Sequence, residues 1–125
     1  MTPSTLYRPV GPGQWQAIQA LGCRAFPPRL ATQKYFYPLL YESFAQRIAR
    51  EWHVQRSGVG YVLAFSVRQR YLDSLPVFVI GGPEHKEYRI PADQLDAFNA
   101  QLVGPIRLLS VWDTQWRGRM SARAG

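Results

Sequence analysis

At 125 residues, 46% hydrophobic and 14% aromatic, the chain suits one domain with its own core and is too apolar for wholesale disorder. No run approaches the roughly 18 apolar residues of a membrane span, MTPSTLYRPV lacks the basic leader and apolar core of a signal peptide, and Cys23, the only cysteine, excludes an internal disulfide framework. The net charge of +7, carried by thirteen arginines against Lys34 and Lys86, permits nucleic acid, phosphate or acidic partners without demanding them, and His53 and His85 are too few soft ligands for a zinc site. The expectation is a soluble cytoplasmic domain.

TLYRPV reads as a first strand, ended by Pro9 and the Gly11-Pro12-Gly13 turn. In GQWQAIQALG, Trp15, Ile18 and Leu21 recur on one helical face, with Gly22 as the stop. CRAFPPRL is an irregular connection, because Pro27-Pro28 suits neither helix nor central strand. KYFYPLL is an aromatic strand candidate. YESFAQRIAREW is the clearest amphipathic helix, with Tyr41, Phe44, Ala45, Ile48, Ala49 and Trp52 in one stripe. GYVLAFSV is apolar on both faces and predicts a central strand. VRQRYLDSL reads equally as a turn or a short helical piece. PVFVIGG predicts a buried strand leaving through Gly81-Gly82-Pro83, and HKEYRI another strand. PADQLDAFNAQL predicts a helix with Pro91 near its start and Leu95, Phe98 and Leu102 on one face. Gly104-Pro105 predicts a stop, and IRLLSVW a last strand. The order β-α-β-α-β-β-β-α-β, with strands consecutive in the middle, argues for a single α+β domain: a mostly antiparallel central sheet and three helices. The core spans about residues 5–112, and 113–125, with Arg117, Arg119 and Arg123, reads as a flexible basic tail.

Neither a phosphate loop nor a nucleophile elbow is present. Cys23 reads as an inert semi-buried thiol. Arg8, inside the first strand, is either solvated or a fixed fork for phosphate or carboxylate. Tyr35 and Tyr37 share one strand face, as core packing or as a ring-stacking platform. Glu87 is either an exposed strand residue or a carboxylate presented to a ligand beside the Gly-Gly-Pro loop.

An arginine in strand one, an aromatic strand leading into an amphipathic helix and a glutamate on a late strand together resemble the ADP-ribosyltransferase layout. The matching stretches are LYRP with Arg8, KYFYPLLYESFAQRIA with Tyr35 or Tyr37, and HKEYRIP with Glu87. More closely, LYRPVG, AFPPRL, FYPLL, IAREW, GYV, EYRIPADQL and FN through VGPI resemble a group of small bacterial proteins labelled "ADP-ribosylation/crystallin", over residues 5 to about 112. His85 stands where the superfamily commonly has Glu or Gln, two residues before the catalytic glutamate.

The resemblance implies an ADP-ribosyltransferase-like fold and NAD as substrate, with no metal. Glu87 would stabilise the cationic ribose, Arg8 would hold the pyrophosphate or the adenylate-side ribose, and Tyr37 or Tyr35 would stack on nicotinamide. His85 would accept a proton from the acceptor, which is water, a protein or a nucleic acid. The competing expectation is a non-enzymatic basic module in which Tyr35, Tyr37 and the arginines bind single-stranded nucleic acid or an acidic protein.

Overall fold

Strand β3 (Val59–Val67) is the axis of the fold, and a computed structural model describes the chain over residues 2–115. It pairs antiparallel with β1 (Ser4–Val10) on one side and β7 (Leu102–Asp113) on the other. Its residues are apolar on both faces because both faces are covered. Leu63, Phe65 and Val67 enter the larger core, while Val62 enters a second cluster with Leu39, Ala45, Ala49 and Trp112. The larger core holds four phenylalanines in mutual contact: Phe26, Phe36, Phe65 and Phe98. The domain is α+β with a mostly antiparallel sheet, as the element order predicts.

Helix α1 (Pro12–Ala20) buries Ile18 but leaves Leu21 exposed, so the expected three-residue stripe is shorter by one. The main helix begins as α2 (Glu42–Ile48), widens into a π-helical segment (Ala49–His53) and ends as α3 (Val54–Ser57). In the wide turn the Val54 amide bonds back to the Ala49 carbonyl, five residues earlier. A π turn takes up extra chain, so a 3.6-residue pattern loses phase across it. Trp52, placed by periodicity on the core stripe, is instead 54% exposed, and Val54 is buried. The ambiguous stretch after β3 is a fourth helix, α4 (Gln69–Asp73), where three were expected. The last, α5 (Leu95–Asn99), follows a 3-10 turn over Ala92–Gln94.

The short strands depart most from expectation. PVFVIGG is not buried: β4 (Phe78–Val79) is two residues long, and Val77, Val79 and Ile80 are all exposed. HKEYRI divides into β5 (Lys86–Glu87), paired with β4, and β6 (Ile90–Pro91), paired with β2 (Tyr35–Phe36). Gly104-Pro105 does not stop the chain before the last strand but lies inside β7. There Gly104 takes a φ of 78° beside an irregularity in the β3–β7 register, so the pair shapes a bulge. Asp113 ends β7; Arg117, Arg119 and Arg123 lie outside the described residues. No helix among the described residues is long and apolar enough to cross a membrane.

One backbone connection positions everything that follows. Pro38 interrupts the aromatic strand, but Leu39 resumes pairing, with Tyr7 of β1 on one side and Glu87 of β5 on the other. The Leu39 and Tyr7 amides each donate to the other's carbonyl at 2.9 Å. On the far side the Leu40 amide donates to Lys86 and the Tyr88 amide to Pro38, at 3.1 and 2.9 Å. The strand carrying Arg8 and the strand carrying Glu87 thus flank one short segment.

Candidate functional site

Arg8 follows Leu6 and precedes Val10 on the core-facing side of β1, a position where an apolar residue would be ordinary. It is 8% exposed, its guanidinium lying 4.6 Å from the centroid of Phe36. One terminal nitrogen donates to the Tyr37 carbonyl at 3.1 Å and the other to Gln14 Oε1 of α1 at 3.0 Å. Its Nε is buried with no hydrogen-bond partner. No carboxylate among the described residues pairs with it within 4 Å. Burial, then the neighbouring charge of Arg29, pushes its pKa down to about 9, so it remains a cation at neutral pH. Arg29 is half-buried, donates from Nε to the Tyr35 carbonyl at 3.2 Å and faces the same Phe36 ring at 5.9 Å. Its own pKa is lowered by burial, with Tyr37 opposing.

Glu87 is buried, which settles the choice between a solvated and an enclosed carboxylate. Its Oε2 accepts a 2.9 Å hydrogen bond from Arg89 Nε, and the Arg89 guanidinium rests 4.0 Å from the centroid of Phe78. Glu87 is therefore held through Oε2 by a neighbour two residues along the chain.

Arg8, Tyr37 and Glu87 line one cleft of about 260 Å³, together with Arg29, Trp52 and His53. A second cleft of about 630 Å³ adjoins it through Tyr37 and Glu87 and adds Tyr35, Phe78 and Arg89. Tyr37 thus borders both clefts, whereas Tyr35, its ring 6.2 Å away, borders only the second of these two. Both tyrosines are substantially exposed while Phe36 between them is fully buried, as strand alternation requires.

His85 is not brought to this cleft. Its ring lies flat on Phe44 at 4.5 Å, and its Nδ1 accepts the Gly82 amide at 3.3 Å, which fixes the tip of the Gly-Gly-Pro loop. It borders a third cleft with Phe44, Arg47, Glu51 and Trp52. The histidine that does line the cleft is His53, half-buried at the end of the π segment. Its pKa is lowered by burial and by Arg8, and less by Arg56, against an opposing pull from the Pro9 carbonyl.

Arg29, His53 and Gln14 are absent from the residues singled out by sequence. Arg29 lies in the irregular AFPPRL connection, and His53 stands one residue past the helical stripe; only the wide turn explains its placement. Among the described residues no cluster of three or more His, Cys, Asp and Glu side chains could hold a metal ion. Compared with known proteins, the chain matches no family model, no curated protein and no solved structure.

Proposed function

We propose that this protein binds NAD in the groove formed by the two adjoining clefts and cleaves the bond between nicotinamide and ribose. ADP-ribose then passes to water or to a side chain or base of a macromolecule. The observation that carries this reading is the convergence of Arg8, Tyr37 and Glu87, from three separate chain segments, on one cleft whose cation is buried and incompletely bonded. Each cleft volume is in or near the range of small-ligand sites, and together they leave room for a dinucleotide.

In this reading Arg8 and Arg29, which line one cleft, hold the pyrophosphate, two guanidinium groups facing two phosphoryl groups. Tyr37 stacks on the nicotinamide ring at the junction of the clefts. Glu87 lies against the ribose. As the glycosidic bond breaks, positive charge develops on the sugar, and a buried carboxylate stabilises it more strongly than a solvated one would. Arg89 keeps that carboxylate oriented from its Oε2 side. A cytoplasmic location would supply the substrate.

Of the two readings, the placement of Arg8 and Arg29 favours the small ligand, although the other described arginines are exposed. A strand-binding surface needs exposed arginines along a track, whereas Arg8 is enclosed and Arg29 half-enclosed around a small volume. The test is nicotinamide release from NAD by the wild type and by Glu87→Gln, with ADP-ribose binding measured on both. Release by the wild type, loss of at least about 100-fold in the variant and retained ADP-ribose binding are expected. No stabilisation of the wild type by either compound, and no release, would refute the assignment.

A further inference from the structure

A second titratable group, His53, lines the cleft with Glu87, and its placement is built rather than incidental. The π segment delivers His53 against the end of β1 and the start of β3, and glycine stands at both contact points. A Cβ on Gly60 would sit 2.6 Å from the Ala49 carbonyl oxygen and 3.0 Å from His53 Cβ. A Cβ on Gly11 would sit 3.4 Å from His53 Nδ1. The imidazole therefore lies against bare backbone, with the Pro9 carbonyl beside it. An N–H drawn to that carbonyl leaves the other ring nitrogen as an acceptor.

We propose that His53 is the general base of this cleft, taking the proton from the water or acceptor group that attacks the ribose. The proposal rests on the NAD reading above. In the hydrolytic case the bond between nicotinamide and ribose C1′ breaks, and its electron pair leaves on neutral nicotinamide. The water oxygen bonds to C1′, its proton passes to the free His53 nitrogen, and His53 releases that proton to solvent. The products are ADP-ribose, nicotinamide and one proton. The groups facing His53 suit that role: Arg8 from β1 and Arg56 from α3, with Arg29, Tyr37 and Glu87 around the same cleft. Burial and the two arginines keep the ring neutral, and so able to accept a proton, at neutral pH.

The experiment measures nicotinamide release between pH 5 and 8 for the wild type and His53→Gln, with ADP-ribose affinity by calorimetry. Wild-type kcat is expected to fall about tenfold per pH unit on an acid limb whose midpoint lies below the usual histidine value. His53→Gln is expected to lower kcat about 100-fold or more, to lose that limb and to keep ADP-ribose affinity within about threefold. A purely structural role would move stability and affinity together and leave the limb in place. If His53→Gln does not fold, the wild type alone decides: the His53 ring titration by NMR must coincide with the acid limb, and a mismatch overturns the proposal. Retained ADP-ribose binding with unchanged turnover in His53→Gln overturns the role of His53 alone. Failure of the wild type to bind ADP-ribose overturns the NAD reading beneath it, and binding without any turnover overturns the base assignment.

Discussion

Replacing Arg8 with methionine separates a cation that holds the fold together from one that awaits an anion. The fall of its pKa from the usual arginine range to about 9 spans roughly 3 to 4 pH units, or on the order of 5 kcal/mol for keeping the charge buried. Its hydrogen bonds to the Tyr37 carbonyl and Gln14 return about 1.5–3 kcal/mol each, which nearly offsets that cost. Methionine preserves much of the stem and removes the charge. The ligand-free variant is therefore expected to stay within about 1 kcal/mol of the wild type, or slightly above it, by urea unfolding at pH 7. A structural cation behaves differently, because breaking a buried ion pair costs about 3–5 kcal/mol. With ADP-ribose at about 100 times its Kd, the wild type gains about 2.7 kcal/mol and the variant gains nothing. A loss of 3 kcal/mol or more without ligand would refute the reasoning, as would equal stabilisation of both proteins by ligand. The sign of the pH effect follows from the depressed cation. Between about pH 9 and the usual arginine range the unfolded chain keeps this proton while the native chain gives it up, so this group's contribution to stability rises with pH there.

His53 gives a second linkage, on the acid side. Its lowered pKa means that the unfolded chain binds the proton more tightly, so stability is expected to fall as pH drops through and below the usual histidine value, and His53→Gln should flatten that fall in Tm scans from pH 7 to 5. Gly60→Ala places a methyl group against the Ala49 carbonyl and should cost about 1–3 kcal/mol by chemical denaturation; a neutral result would mean the π segment can shift freely. Phe98→Ala opens the aromatic core beside Phe26, Phe36 and Phe65 and should cost about 3–5 kcal/mol, while a loss below 1 kcal/mol would contradict the packing described.

The long elements were legible because their patterns are long. β3 reads as central from an apolar run on both faces, and the helix from residue 42 onward reads from its stripe of Phe44, Ala45, Ile48 and Ala49. Strands were legible at PVFVIGG and HKEYRI, but not their two-residue lengths or the division of HKEYRI into β5 and β6, since these are set by pairing partners and not by local pattern. PVFVIGG is apolar enough to read as core, yet no layer covers it, and three of its residues remain exposed. Gly104-Pro105 carries the same ambiguity, because a glycine at positive φ serves a bulge as readily as a stop. At the site, strand alternation placed Tyr35 and Tyr37 on one face correctly. The burial of Arg8 and Glu87 depends on Leu39 bridging two strands across 48 residues of chain, from Leu39 to Glu87, which no local signal encodes.

Several departures from ordinary folding rules meet at this one cleft. An arginine occupies a core-facing strand position with one nitrogen unpaired, and a glutamate is enclosed on a two-residue strand. A helix widens for one turn at the histidine, and a glycine inside β3 yields the space which that turn needs. Each alone weakens the fold or leaves it unimproved: an apolar residue would pack better at position 8, and a regular helix needs no glycine opposite it. Independent defects would be scattered, whereas these converge on about 260 Å³ that also contains Tyr37 and Arg29. Among the described residues no carboxylate pairs with the buried Arg8 cation, and an arriving anion would supply that partner. The shared location of these departures is thus a stronger argument for a ligand site than any one of the residues.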